Sequence, residues 1–145
     1  MGTTPPVLLR YIEGLKTRDV DEIAGTVADH LAFVSTNRTL SKAEFLSMLR
    51  ALYTAFPDWT YAYDQVEDRG DCHAVKWRQG GTHTGVFAWP GMAAVPPTGR
   101  SVRMPEHYFF YKVAGDQIVE IRPEPVLGGA PRGILEQIGV EVPPL

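Results

Sequence analysis

Cysteine is almost missing from this chain: Cys72 stands alone among 145 residues, so no internal disulfide can form and a thiolate metal centre lacks ligands. Long apolar runs are missing too. Nothing approaches the roughly 20 residues of a membrane-spanning helix, and Met1 to Pro6 holds no basic segment leading into an apolar one. No excess of one charge exists either: 14 Lys and Arg face 17 Asp and Glu, the net charge is −3, and the basic residues are scattered. That removes the electrostatic reason to bind nucleic acid. GxGxxG, P-loop and GxSxG patterns are absent, and the four histidines show neither HxH nor HExxH spacing, so a nucleotide cofactor, a serine nucleophile and a metal centre are not expected. These absences predict a soluble, unexported, cytoplasmic protein without cofactor, metal, membrane or nucleic-acid partner.

What is present suits one globular domain over residues 1–145, with 44% hydrophobic residues available for a core. Val7, Leu8, Tyr11, Ile12 and Leu15 follow Pro5-Pro6 at helical spacing, which predicts a helix ending near Thr17. The same period through Val20, Ile23, Ala24 and Val27 predicts a second helix over 19–30, capped by Asp19 or Asp21. Residues 31–36 read as a strand. Ser41-Lys42-Ala43-Glu44 is a capping box, so a third helix starts there, with Phe45, Met48, Leu49, Leu52 and Phe56 inward and Pro57 as its stop.

Beyond Pro57 the period changes to two. Strands are predicted over 60–67, 72–79, 82–89, 100–113 and 117–123, with turns at 68–71 and 114–116 and a bend at Gly80-Gly81. A terminal helix is predicted over 131–138. Helices followed by four or five antiparallel strands make an α+β layer, a curved sheet over helices with an apolar pocket at its mouth.

Four stretches carry a resemblance to a known family: Trp77-Arg78-Gln79-Gly80-Gly81-Thr82-His83-Thr84-Gly85, Pro96-Pro97-Thr98-Gly99-Arg100, Gly115-Asp116-Gln117-Ile118-Val119-Glu120 and Leu135-Glu136-Gln137-Ile138-Gly139. In this order and separation they resemble the SnoaL-like polyketide cyclases of the NTF2-like superfamily. The resemblance implies a cone of a curved antiparallel sheet packed on three N-terminal helices, an apolar pocket, and a homodimer through the open sheet face. It also implies metal-free and cofactor-free acid/base chemistry in which an enolate closes an aldol ring. Cyclising members follow the last hairpin with Glu, a variable residue, Trp, Asp and a further Asp three positions on. Here Arg122 stands for Trp, Pro123 for the first Asp and Val126 for the second, so the acid/base group has to come from elsewhere.

Its candidates are Glu124, Glu106 and His107, the last on the penultimate strand where cyclising relatives carry a site histidine. A one-residue change of register exchanges the faces of Glu106 and His107. Trp77, His83, Phe109, Tyr53 and Arg122 are the candidate substrate contacts, and His83 has a structural reading beside that one. Tyr53, Trp59, Tyr61 and Tyr63 line the helix-to-strand junction, mostly as core, with a hydroxyl available to a ligand. The apolar segment 87–95 reads equally as a lid or a subunit contact. The leading function is therefore a cyclase, isomerase or hydratase acting on a small hydrophobic carbonyl compound. The alternative is a non-catalytic binding protein that keeps the cone.

Overall fold

The computed structural model describes residues 4–35, 38–89, 93–127 and 132–140. The ends predicted at residues 36 and 131, and residues 90–92 of the predicted lid, lie outside them. Helix α1 (Pro6–Thr17) starts on a proline, whose missing N–H has no partner to lose at that position, and buries Val7, Leu8, Tyr11, Ile12 and Leu15 along one stripe. Each such side chain withdrawn from water contributes about 1.5–3 kcal/mol before chain entropy is subtracted.

The second helix is shorter than its apolar period predicts. Helix α2 (Val20–Ala24) is capped by Asp19, which accepts from the Glu22 amide, and it stops where the Thr26 hydroxyl donates to the Ile23 carbonyl at 2.7 Å. Residues 27–30, predicted helical, instead open strand β1 (Val27–Val34). The reason is tertiary: β1 lies parallel to the last strand, with Val27 opposite Ile118 and Phe33 opposite Ile121, and that pairing overrides the local period. The sheet is accordingly mixed, not wholly antiparallel.

The short strand β2 (Thr39–Leu40) precedes α3 (Lys42–Ala55), whose capping box forms as predicted. Next come β3 (Thr60–Ala62), β4 (Val66–Asp68) and β5 (His73–Thr82), the spine of the sheet. One end of β5 pairs with β4, the other with β3. The double glycine lies at the second end, where Gly80 pairs with both Thr60 of β3 and Arg103 of the strand that follows. A Cβ on Gly80 would lie 2.7 Å from the Val102 carbonyl oxygen, so only glycine admits the neighbouring strand there.

The strand predicted over 82–89 does not form. Residues 83–89 and 93–100 form no strand, and Phe87 and Val95 are joined by an isolated bridge. The strand predicted over 100–113 is divided into β6 (Ser101–Arg103) and β7 (His107–Ala114) by Met104-Pro105-Glu106, where proline cannot donate to a ladder. A turn at Ala114-Gly115-Asp116 leads into β8 (Gln117–Pro123). The sheet path runs β2-β1-β8-β7-β5-β3, with β4 and β6 also paired to β5.

Helix α4 (Arg132–Gln137) closes the far end. The Gln137 side-chain amide accepts from the Arg103 amide and donates to the Arg103 carbonyl, both at 2.8 Å, and so stands in for a strand neighbour of β6. Two cores result. One packs α1 and α3 on the inner sheet face around Tyr11, Phe45, Trp77, Tyr111 and Ile121. The other joins the end of α3 to β6 and α4 around Phe56, Trp59, Phe87, Val102 and Ile134.

Candidate active site

Alternation along β5 and β7 sorts their side chains onto two faces. Trp77, His107, Phe109 and Tyr111 turn toward the helices, while Lys76, Arg78, Tyr108 and Phe110 turn away. Trp77 and His107 are direct cross-strand partners.

His107 is 4% exposed and lies 5.1 Å, ring to ring, from Phe109. Its Nδ1 is 2.7 Å from the Pro105 carbonyl oxygen. A carbonyl only accepts, so Nδ1 carries a proton, and the tautomer this selects presents its lone pair at Nε2. The break at Pro105 that divides β6 from β7 thus also sets the tautomer.

Around Trp77 stands a group of phenols. The Trp77 indole donates to the Tyr111 hydroxyl at 2.9 Å, and Tyr61 and Tyr63 meet the indole edge-on at 5.5 and 5.2 Å. The Tyr53 and Tyr61 hydroxyls are 2.6 Å apart, and Tyr11 packs on Tyr111 at 5.3 Å. Burial, the leading cause in each case, pushes Tyr11, Tyr53, Tyr61 and Tyr111 well above the usual phenol range. At neutral pH these groups are donors and not bases.

The candidate carboxylates sit elsewhere. Glu106 faces outward, 3.3 Å from Arg78 and 3.6 Å from Lys76. Glu124 continues the pairing of β8 past Pro123: its amide donates to the Tyr108 carbonyl at 2.8 Å and its carboxylate accepts from the Tyr108 amide at 3.1 Å. Arg122 also lies on the outer face, exposed and 3.7 Å from Glu120.

His83 is wholly buried against Phe56 in the second core. The Thr98 amide donates to its Nδ1 at 3.2 Å and the Thr98 hydroxyl lies 2.8 Å from the same nitrogen. Its backbone accepts from the Gly99 amide and donates to the Arg100 carbonyl, an arrangement for which Gly99 adopts a φ of 71°. Two of the motif stretches, 77–85 and 96–100, are therefore tied together at this residue. Burial pulls the His83 pKa down, which keeps the ring neutral.

The outer face holds a polar recess of about 240 Å³ lined by Asp64, Gln65, Glu67, Lys76 and Tyr108. There the Tyr108 hydroxyl donates to Glu67 at 2.9 Å, with Arg69 and Lys76 over its ring. Among the described residues no cluster of His, Cys, Asp or Glu is arranged to hold a metal, and no helix is long and apolar enough to cross a membrane.

Sequence reasoning passed over Arg18 and read Tyr11 only as core. Arg18 terminates α1 with φ 55°, the one non-glycine positive φ among the described residues, and donates to the Trp59 carbonyl at 3.0 Å. Glycine is the usual residue there, and its absence at the end of a helical pattern was the available signal.

A search of curated proteins found no match. Among solved structures, AclR, a candidate hydroxylase from Streptomyces galilaeus, superposes with a TM-score of 0.73 at 20% identity, covering 94% of this chain and 82% of that one. A candidate SnoaL-like polyketide cyclase from Jannaschia sp. CCS1 gives 0.69 at 18% identity over 99% and 100% of the two chains. IdmH, a candidate polyketide cyclase from Streptomyces antibioticus, gives 0.65 at 21% over 92% and 96%. At these identities the likeness establishes the fold, an open NTF2-like cone of curved mixed sheet and helices. The sequence model of the SnoaL-like polyketide cyclases matches residues 6–124, and the chain belongs to that family.

Proposed function

We propose that the protein is a cofactor-independent acid/base enzyme, a polyketide cyclase or a related isomerase or hydratase, acting on a small hydrophobic carbonyl compound. His107 is the proton carrier. The observation that supports this most is its tautomer: Pro105 holds the proton on Nδ1, which leaves the Nε2 lone pair on the inner, aromatic face of the sheet. A base oriented by a hydrogen bond on its far nitrogen is the arrangement general base catalysis requires.

In the proposed step, Nε2 takes the proton from the carbon next to the substrate carbonyl, and the C–H electron pair moves onto the carbonyl oxygen as an enolate. The enolate carbon then attacks a second carbonyl, for ring closure, and the alkoxide formed from that carbonyl takes the proton back from His107; for isomerisation the enolate instead recovers that proton at a different carbon. Trp77 and Phe109 supply apolar walls and Tyr53 a polar contact. Glu124 positions His107 by holding the neighbouring Tyr108 amide. The proposal includes a homodimer through the outer sheet face, where Tyr108 and Phe110 stack at 6.0 Å, in a cytoplasmic setting.

Deuterium exchange from D2O into the activated carbon of a panel of β-keto esters and lactones tests the reading. Exchange above buffer that disappears in His107→Ala and persists in Glu106→Gln supports it. Exchange that persists in His107→Ala removes His107 from the role. No exchange with any compound, with apolar ligands still raising the melting temperature, supports a binding protein instead.

A further inference from the structure

The phenols on the inner face hold more protons than they can place. Tyr11, Tyr53, Tyr61, Tyr111 and the Trp77 indole carry five donor hydrogens. They make two hydrogen bonds, both among themselves: Tyr53 with Tyr61, and Trp77 with Tyr111. When one phenol of a pair donates to the other, the second keeps a hydrogen with nothing to accept it. Among the described residues no carbonyl or carboxylate accepts from these hydroxyls, so three donors are left over. Buried donors are ordinarily matched, and a surplus with no acceptor is complementary to a ligand that brings one. Tyr11 and Tyr111 are sealed in the core, whereas Tyr53 and Tyr61 are only half-buried as residues, so the donor nearer the surface is the one at that pair.

Arg18 adds a positive charge beside them. Burial dominates at the Tyr53 hydroxyl and keeps it protonated, and the Arg18 guanidinium opposes that more weakly. No carboxylate lies within ion-pair distance of it among the described residues; its charge does reach Asp58, whose carboxylate accepts from the Thr82 amide at 2.7 Å. A positive φ on a residue with a side chain carries a conformational cost that glycine would avoid, and Arg18 accepts it while holding its guanidinium at the Trp59 carbonyl next to this pair.

We infer that Tyr53 and Tyr61, with Arg18 behind them, form a binding site for an anionic or strongly polarised oxygen of the ligand: an enolate, a phenolate or the enol oxygen of a 1,3-dicarbonyl compound. The inference rests on the proposed function and narrows its substrate class to compounds whose reacting oxygen gains negative charge. Trp77 separates this site from His107 on the same sheet face, so oxygen and base are served by different groups. Electrostatic stabilisation of this kind acts where charge develops, and donors that remain protonated are the ones able to supply it.

Binding of p-nitrophenol, read by its absorbance between pH 5 and 9, tests the site. It has an acidic hydroxyl and no C–H for a base to take, so it reports the oxygen site independently of His107. The phenolate should bind at least tenfold more tightly than the phenol, lowering the apparent pKa of the bound probe by about one unit. Tyr53→Phe and Tyr61→Phe should each reduce phenolate affinity about tenfold with little change for the phenol. Arg18→Gln, which keeps a donor for Trp59, should reduce it by a smaller factor. Equal affinity for both forms, no binding, or Phe variants of unchanged melting temperature and unchanged preference would overturn the site. Deuterium exchange that is lost in His107→Ala would stand through any of those results, so failure here and failure of the base are told apart.

Discussion

The two faces of strands β5 and β7 are made of residues one step apart in sequence, yet their chemistry is opposite. On the inner face Trp77, His107 and Tyr111 are at most 4% exposed, the Trp77 indole donates to the Tyr111 hydroxyl and His107 Nδ1 to the Pro105 carbonyl. On the outer face Lys76, Arg78 and Glu106 form ion pairs with 41–48% of each side chain in solvent. The difference teaches where charge is usable. Exposed pairs are screened by water and interchangeable, whereas a lone imidazole and protonated phenols in a low-dielectric interior act strongly on whatever enters.

The most severe way to break the comparison is at the base. His107→Ala is expected to cut exchange by about 10²–10⁴-fold, the range general base catalysis supplies, with circular dichroism unchanged. Next is Trp77→Ala, which empties a site 1% exposed and strands the Tyr111 hydroxyl. A loss of about 3–5 kcal/mol in urea unfolding is expected.

Two pH experiments sharpen the same contrast. Folded-state phenol pKa values are raised by burial, so the unfolded chain gives up tyrosine protons first. Stability is intact below about pH 10, where free tyrosine ionises, and falls as pH rises beyond it. Difference absorbance at 295 nm should show these tyrosines ionising only with unfolding. His83 has the opposite sign. Its folded pKa is lowered, so its contribution is complete above about pH 6.5 and is lost as pH falls. H83N, compared with wild type by urea unfolding at pH 5 and pH 7, should have a smaller acid loss. The weakest effect belongs to the outer face: Glu106→Gln, in a solvent-screened pair, should leave both exchange and melting temperature nearly unchanged.

Local signals in the chain were good where they were self-contained. The capping box at Ser41, the proline start of α1 and the turn at Gly115 needed no distant partner, and each formed where its residues say. Residues 27–30 and 82–89 were misread because their state depends on neighbours far along the chain. The first became strand by pairing with β8, and the second lost its ladder when β5 ended at Thr82 and β6 began only at Ser101. The site shows the same division. Histidine and aromatic residues on the penultimate strand were legible as candidates, but Arg18 was not, because its nearness to Tyr53 joins a helix end to another helix.

By itself the sequence determined the family, the α+β order of elements and the absence of the usual Asp pair, because motifs, caps and periodicity are properties of short segments. Tertiary structure alone decided which of Glu106 and His107 turns inward. A strand alternates with a period of two, and only the register of β7 against β5 and β8 settles which side is in. It also decided that the phenols of α1, α3, β3 and β7 converge, since hydroxyls brought together from four elements share no local signal.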